Sequence, residues 1–265
     1  MMIPLEERST VLAVAGLDPS GGAGLSMDTA VIRSLGLHPL SVLTGVAVQN
    51  TSRFDARIDF SPDAIIRQLD VLVEEFPVGA VKIGMIGDTK IVEALAIWLA
   101  ERPRLPVVLD PVLASTSGGA LGGGDVPRAL LRHLVPRATV VTPNLEEAAV
   151  FLGREFTRKE EMPAAARALR DRGAAWCLIK GGHLDHGSAV DFLGGADTEL
   201  WLEEDRVGGS VRGTGCALAS ALAGGLARGE TVPEAARTAK ALVTRAVRAS
   251  YAAGDGRFLG IDVGS

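Results

Sequence analysis

Val11-Leu-Ala-Val-Ala-Gly16 runs directly into Leu17-Asp-Pro-Ser-Gly-Gly-Ala-Gly24 and then into the amphipathic stretch from Gly24 to Leu35. A short apolar run, a glycine-rich loop and a segment of helical periodicity form the first half of a βαβ unit. Ser41 to Val48 supplies the next strand, and the alternation then repeats along the chain. Pro62 to Phe76, Asp88 to Glu101, Leu145 to Leu152 and Lys159 to Arg172 carry helical spacing. Between them stand the apolar runs Ala80-Val-Lys-Ile-Gly84, Pro106-Val-Val-Leu-Asp110, Thr139-Val-Val-Thr142 and Trp176-Cys-Leu-Ile-Lys180. Strands that are apolar throughout and separated by helices belong to a parallel sheet covered on both faces, with right-handed crossovers.

Beyond Lys180 the rhythm changes. Ala189 to Leu193 and Thr198 to Glu203 predict two antiparallel strands around a Gly194-Gly195 turn. Ala217 to Ala227 and Val232 to Tyr251 then return to helix. The predicted fold is α/β: a central, mostly parallel sheet with helices on both faces and a small antiparallel excursion. No linker or repeat interrupts it, so a single domain over residues 1–265 is expected.

Composition narrows the function. The 265 residues include 27 Lys and Arg against 32 Asp and Glu, a formal net charge of −5, with 4% aromatic residues. Such a chain lacks the basic surface and stacking platforms of a nucleic-acid binder. It contains no apolar run of spanning length, and Asp18 ends the first apolar segment too early for a secretory core. Cys177 and Cys216 form no CxxC pair or disulfide framework, so a reducing cytoplasm is the expected setting.

The glycines collect in loops that follow strands, where open α/β sheets bind ligands. These loops are Gly16 to Gly24, Asp110 to Gly119, Lys180-Gly-Gly-His183 and Gly208-Gly-Ser-Val-Arg-Gly-Thr-Gly-Cys216. A phosphate loop requires Lys and Ser or Thr after Gly-x4-Gly, but Gly16 to Gly21 is followed by Gly22 and Gly208 to Gly213 by Thr214. The dinucleotide fingerprint also fails: Met27 and Leu218 stand where its third glycine is needed. Gly213-Thr-Gly-Cys216 still suits an anion, because a helix opening there presents free N–H groups and the positive end of its dipole. An ordinary glycine-rich helix cap accounts for that loop equally well.

Taken together, these loops resemble the ribokinase-like superfamily. Within it they are similar to the hydroxymethylpyrimidine kinase/phosphomethylpyrimidine kinase family of thiamin biosynthesis. The matching segments are Gly16 to Gly24, Gln49-Asn-Thr51, Lys82-Ile-Gly-Met-Ile86, Val107-Val-Leu-Asp-Pro111, Thr142-Pro-Asn-Leu-Glu-Glu147, Ile179-Lys-Gly-Gly-His183 and Gly213 to Cys216. Gly-Thr-Gly marks only the superfamily; Asp18-Pro-Ser-Gly-Gly-Ala-Gly24, Gln49-Asn-Thr51 and Cys216 in place of an acid, in combination, are far more specific.

The resemblance implies an ATP- and Mg²⁺-dependent kinase. It places Asp28, Gln49, Met85, Val112 and Gly16 around a pyrimidine. It implies that Lys180, Thr214, Asp110 and Asn144 lie near the nucleotide phosphates, and that Glu147 and Asp110 order Mg²⁺ through water. Cys216, with Gly213, Thr214, Gly215 and Lys180, is implied in phosphoryl transfer. A helix N-terminus lowers a thiol pKa, which predicts a Cys216 thiol shifted towards thiolate. Family membership also implies a homodimer.

Each residue has a plainer reading. Asp28 fits a first-turn helix acid, Asn144 an N-cap, Glu147 a solvated helix residue and Met85 core filler. Cys177 reads as a buried strand residue. His183 and His186 bracket Asp185, but with His38 and His133 remote they do not make a metal site. Arg212 stands where the family often has His, and Leu17 and Gly119 also depart from its pattern. Two alternatives remain at this stage: a pyridoxal kinase of the same superfamily, and a pyrimidine-binding sensor without catalysis on the same fold.

Overall fold

β1 (Thr10–Leu17) is buried along all but its last residue, and its side chains divide by parity. Leu12 and Val14 enter one apolar layer, whereas Val11, Ala13 and Ala15 enter the other. The same division recurs where Val107 and Leu109 face one layer and Val108 the other. A strand covered on both faces has no polar side to show, which is why these segments read as unbroken apolar runs.

The computed structural model describes residues 8–114, 121, 123–182 and 187–262. Among them one nine-stranded sheet has the order β3-β2-β1-β4-β5-β6-β7-β8-β9. Its strands are β1, β2 (His38–Gln49), β3 (Phe54–Asp59), β4 (Val78–Ile83), β5 (Val107–Leu109), β6 (Val140–Val141), β7 (Trp176–Lys180), β8 (Ser188–Gly194) and β9 (Glu199–Asp205). The six strands from β2 to β7 in that order are parallel. β3 pairs antiparallel with β2 at one edge, and β8 and β9 are antiparallel at the other.

One face carries α1 (Gly24–Ser34), α7 (Thr214–Ala227) and α8 (Val232–Arg248). The other carries α2 (Pro62–Glu75), α3 (Thr89–Ala100), α4 (Val126–Ala129), α5 (Leu145–Leu152) and α6 (Met162–Arg170). Starts are well marked: Ser61 caps α2, Asp88 caps α3, and Asn144 with Glu147 forms a reciprocal capping box on α5. α7 is alanine- and glycine-rich because it is buried against neighbours on several sides; a Cβ on Gly225 would lie 2.6 Å from that of Ala235.

The expected architecture is present, with the antiparallel excursion as β8 and β9. Three features differ from the sequence reading. β3 is an added edge strand whose alternating charges, Asp55, Arg57 and Asp59, hide its apolar pattern. α4 continues as a π turn over Leu130–Leu134 and a 3-10 turn over Val135–Arg137, a segment punctuated by Pro127 and Pro136. The last helix stops at Arg248, not Tyr251, and a small hairpin, β10 (Tyr251–Ala253) and β11 (Gly256–Phe258), follows it. Among the described residues no helix is long and apolar enough to cross a membrane.

Candidate active site

β1 lies between β2 and β4, so the chain leaves β1 on one side and returns on the other. A crevice opens at the carboxyl ends of strands at such a switch point. Here the crevice is a cavity of about 340 Å³ including its mouth. Gly16, Gln49, Met85 and Val112 line it, as does Cys216. Four of the five residues expected around the acceptor therefore line one cavity, together with the thiol.

Gly16 is where the backbone must come close: an added Cβ would sit 2.1 Å from Met85 Cε. Met85 packs with Ala47 and Leu121 in a small apolar cluster, with Val112 and Phe54 against it. Gly24, at φ +60°, closes the first loop, since a Cβ there would meet the Gly16 carbonyl oxygen at 2.2 Å. These contacts fold the Gly16–Gly24 loop over the cavity.

Asp28 is the exception. It is fully buried beneath the cavity and is not part of its wall. Its two carboxylate oxygens each accept from Lys82 Nζ at 2.9 Å, and Oδ1 also accepts from Ser220 Oγ at 2.8 Å. Lys82, not Asp28, reaches the cavity. Burial alone would favour the neutral amine, but the Asp28 carboxylate more than offsets this and holds the ammonium above the ordinary lysine range.

A second ionic group lies at the N-terminus of α7. Lys180 Nζ donates to Asp110 Oδ1 at 2.8 Å and lies 3.7 Å from Glu147 Oε2. Lys180 is therefore not a lone cation waiting for a ligand: two carboxylates already face it. A Cβ on Gly215 would sit 3.1 Å from that Nζ, so the missing side chain lets the ammonium approach the helix opening. Burial pushes the Asp110 carboxyl up, but Lys180 and Lys82 outweigh burial and hold it below the usual range. Burial pushes Glu147 up to about 7, with Asp110 adding to the effect and Lys180 opposing it.

Asn144 serves as the N-cap of α5: its Oδ1 accepts from Glu147 N at 2.7 Å, and Glu147 Oε2 accepts from Asn144 N at 2.8 Å. The plain reading of Asn144 is thus correct as local structure, and Glu147 is buried instead of solvated. Its pairing with Lys180 follows from the neighbouring strand ends, where Lys180 N donates to the Pro143 carbonyl at 2.8 Å.

The thiol expectation needs correcting. Cys216 does sit in the first turn of α7, after Gly213 at φ +81° and Thr214. Burial nevertheless pushes it up to about 11, and Lys82 and a hydrogen bond from the Gly24 backbone only partly offset this. The dipole argument failed because Cys216 is itself buried, and desolvation of the thiolate is the largest influence on it. Cys177 is buried as expected.

Lys82 and Asp18 are the charged wall residues, and the sequence reading gave neither a role. The signal for Lys82 was a lysine inside the apolar run of β4, which demands a buried anion. Among the described residues no group of three or more metal-ligating side chains converges. Asp110 and Glu147 still offer two hard carboxylates that share one ammonium, Lys180 Nζ lying 2.8 Å from Asp110 Oδ1 and 3.7 Å from Glu147 Oε2. That fits a Mg²⁺ ion, which keeps most of its waters and takes few protein carboxylates. His183, Asp185, His186 and Gly119 lie outside the described residues.

The sequence model of the phosphomethylpyrimidine kinase family matches residues 18–259. The chain is 41% identical over 247 residues to the hydroxymethylpyrimidine/phosphomethylpyrimidine kinase of Streptomyces coelicolor, covering 93% of this chain and 91% of that one. Its structure is similar to the phosphomethylpyrimidine kinase of Clostridium difficile, with TM-score 0.79 and 32% identity over 90% of this chain and 99% of that one. It is also similar to an ADP complex of the Bacillus subtilis pyridoxal kinase, with TM-score 0.89 and 30% identity over 96% and 98% of the two chains.

Proposed function

The chain belongs to the phosphomethylpyrimidine kinase family, and from that membership we infer that it phosphorylates 4-amino-5-hydroxymethyl-2-methylpyrimidine and then the resulting monophosphate. Both steps take the γ-phosphoryl group of ATP and serve thiamin biosynthesis. The chain is thus a kinase on a ribokinase-like fold, in our reading a cytoplasmic one that works as a homodimer.

One observation supports this reading most. The cavity at the β1/β4 switch point is lined by an apolar group that includes Met85 and by an amide, Gln49. Beside Cys216, which also lines it, the Lys180–Asp110 pair sits at the opening of α7. A flat heteroaromatic alcohol fits the first part, and a transferring phosphoryl group fits the second.

In this account Met85, Val112 and Gly16 hold the faces of the pyrimidine ring, and Gln49 pairs with its ring edge. Asp28 is a positioning residue that acts through Lys82. The backbone N–H groups of Gly213, Thr214, Gly215 and Cys216 receive phosphate oxygens at the positive end of α7. Lys180 turns from Asp110 towards the same oxygens. Asn144 fixes Glu147 through the capping box, and Glu147 and Asp110 would hold Mg²⁺ through water. The bound ion supplies charge neutralisation on the phosphates.

Phosphoryl transfer through a loose transition state needs little early proton removal, so positioning and charge dominate. A Cys216 thiol at about 11 is protonated at neutral pH and orients the attacking hydroxyl by hydrogen bonding. A sensor without catalysis is at odds with the kinase names of the relatives.

Pyridoxal phosphorylation is a second reading, favoured by the TM-score of 0.89 to the Bacillus subtilis pyridoxal kinase. The higher identity, 41%, is to a hydroxymethylpyrimidine/phosphomethylpyrimidine kinase. A competition assay with both alcohols and limiting ATP·Mg²⁺ separates the two. Preferential consumption of hydroxymethylpyrimidine supports the first reading, and preferential formation of pyridoxal phosphate replaces it.

A further inference from the structure

Arg212 precedes the Gly213–Cys216 loop and is 6% exposed. For a buried guanidinium it is poorly served. Nη2 reaches Asp18 Oδ2 at 3.5 Å and Nη1 the Thr51 carbonyl at 3.4 Å, both at the outer limit of a hydrogen bond. Nε is buried and donates to nothing among the described residues. Its carboxylate partner is shared, because Asp18 Oδ1 already accepts from Ser20 N at 3.0 Å and Ser20 Oγ at 2.8 Å. A buried cation with long contacts and an unused donor is costly unless an anion completes it.

That cation lies one contact behind the cavity wall, through its pairing with Asp18. Asp18 lines the cavity wall together with Cys216. Gly22 packs on the guanidinium, an added Cβ there lying 3.2 Å from Arg212 Nε. The backbone is pinned: Arg212 N donates to the Arg257 carbonyl at 3.0 Å, and at Gly213 a Cβ would meet the Gly22 carbonyl oxygen at 2.0 Å. The other cations near the cavity are already engaged. Lys82 is held by both oxygens of Asp28, Lys180 by Asp110, and Arg57 by Asp59 and two backbone carbonyls.

The two acceptors differ in charge. The alcohol is neutral, whereas its monophosphate is an anion that must enter a cavity already walled by the Asp18 carboxylate. We propose that Arg212 is the specificity-determining residue of the second phosphorylation: it neutralises Asp18 and turns its under-used guanidinium donors to the phosphate of the monophosphate acceptor. This rests on the two-step reading above. The alcohol makes no such demand, so the first step does not depend on Arg212. Arginine suits the task because its planar fork matches phosphate oxygens in pairs.

The test compares Arg212→Gln and Arg212→Lys with the unaltered full chain, measuring kcat and KM for each acceptor with saturating ATP·Mg²⁺. Monophosphate affinity without ATP is measured by calorimetry. In Arg212→Gln the KM and Kd for monophosphate are expected to rise about tenfold or more, the loss of a charged hydrogen bond. The KM for the alcohol should stay within about twofold. Arg212→Lys, which keeps the charge but loses the fork, is expected to raise only the monophosphate KM by a smaller factor, and it decides the matter if the Gln variant does not fold. Equal shifts for both acceptors, or none for the monophosphate, overturn the role of Arg212 while leaving the two-step reading intact. An unaltered chain that phosphorylates the alcohol but not the monophosphate contradicts both.

Discussion

Lys82 and Asp28 form a bidentate ion pair with both side chains wholly inaccessible, each carboxylate oxygen 2.9 Å from Nζ. The pair fixes the floor of the cavity from two elements, β4 and α1. Removing one partner strands a buried charge, so Lys82→Met is expected to destabilise the fold by about 3–5 kcal/mol. Urea denaturation checks this. The double change Lys82→Met with Asp28→Asn removes both charges and should recover much of the loss; equal destabilisation by the single and double variants would refute the pairing argument.

A thiol held at about 11 makes a pH prediction. If Cys216 acts as a protonated hydrogen-bonding group, kcat for the alcohol is flat with respect to this residue from pH 7 to 9.5. Cys216→Ala should then lose less than the factor of about 10²–10⁴ typical of a general base. A tenfold rise in kcat per pH unit that vanishes in Cys216→Ala would identify the thiolate as the base. Stability follows the same group: its folded value exceeds its ordinary value of 9.0, so its contribution is intact below pH 9. It is lost as pH rises through about 11.

Much of this architecture was legible before any coordinates. The buried strands read clearly because both of their faces are covered, as the split of Leu12 and Val14 from Val11, Ala13 and Ala15 shows. β3 was not legible, because an edge strand with Asp55, Arg57 and Asp59 carries the pattern of a loop. Within the site, Gln49, Met85, Val112 and Gly16, named from the motifs, line one cavity. Asp28 did not join them, since its distance from the wall depends on Lys82, and a pairing across 54 positions leaves no local mark. The thiol shift was misread for a related reason: the sequence shows a helix starting at about Cys216, but not that the thiol itself is buried.

Gly213 adopts φ +81°, and an added Cβ would lie 2.0 Å from the Gly22 carbonyl oxygen. Gly213→Ala is therefore expected to misplace the anion loop, lowering kcat/KM at least about a hundredfold, because small misplacements near the chemistry are that costly. Gly208 has open space around its Cα and no positive φ, so Gly208→Ala serves as the control. Steady-state kinetics on both variants decide the matter, and equal activities would contradict the packing argument.

Glu147 both completes a capping box and faces Lys180. Gln fills the capping role equally well, so Glu147→Gln should leave thermal stability nearly unchanged. The Mg²⁺ concentration for half-maximal rate should rise about 10–100-fold, the range seen when groups that orient a metal are lost. An unchanged Mg²⁺ requirement would remove Glu147 from that role.

The most direct test of the central claim is a mass-spectrometric product assay of the purified chain with ATP·Mg²⁺ and hydroxymethylpyrimidine, followed over time. The account predicts that monophosphate appears first and is then converted to diphosphate, with offered monophosphate also converted. Absence of phosphoryl transfer to either acceptor, or pyridoxal phosphate as the main product when pyridoxal is supplied alongside, would contradict it.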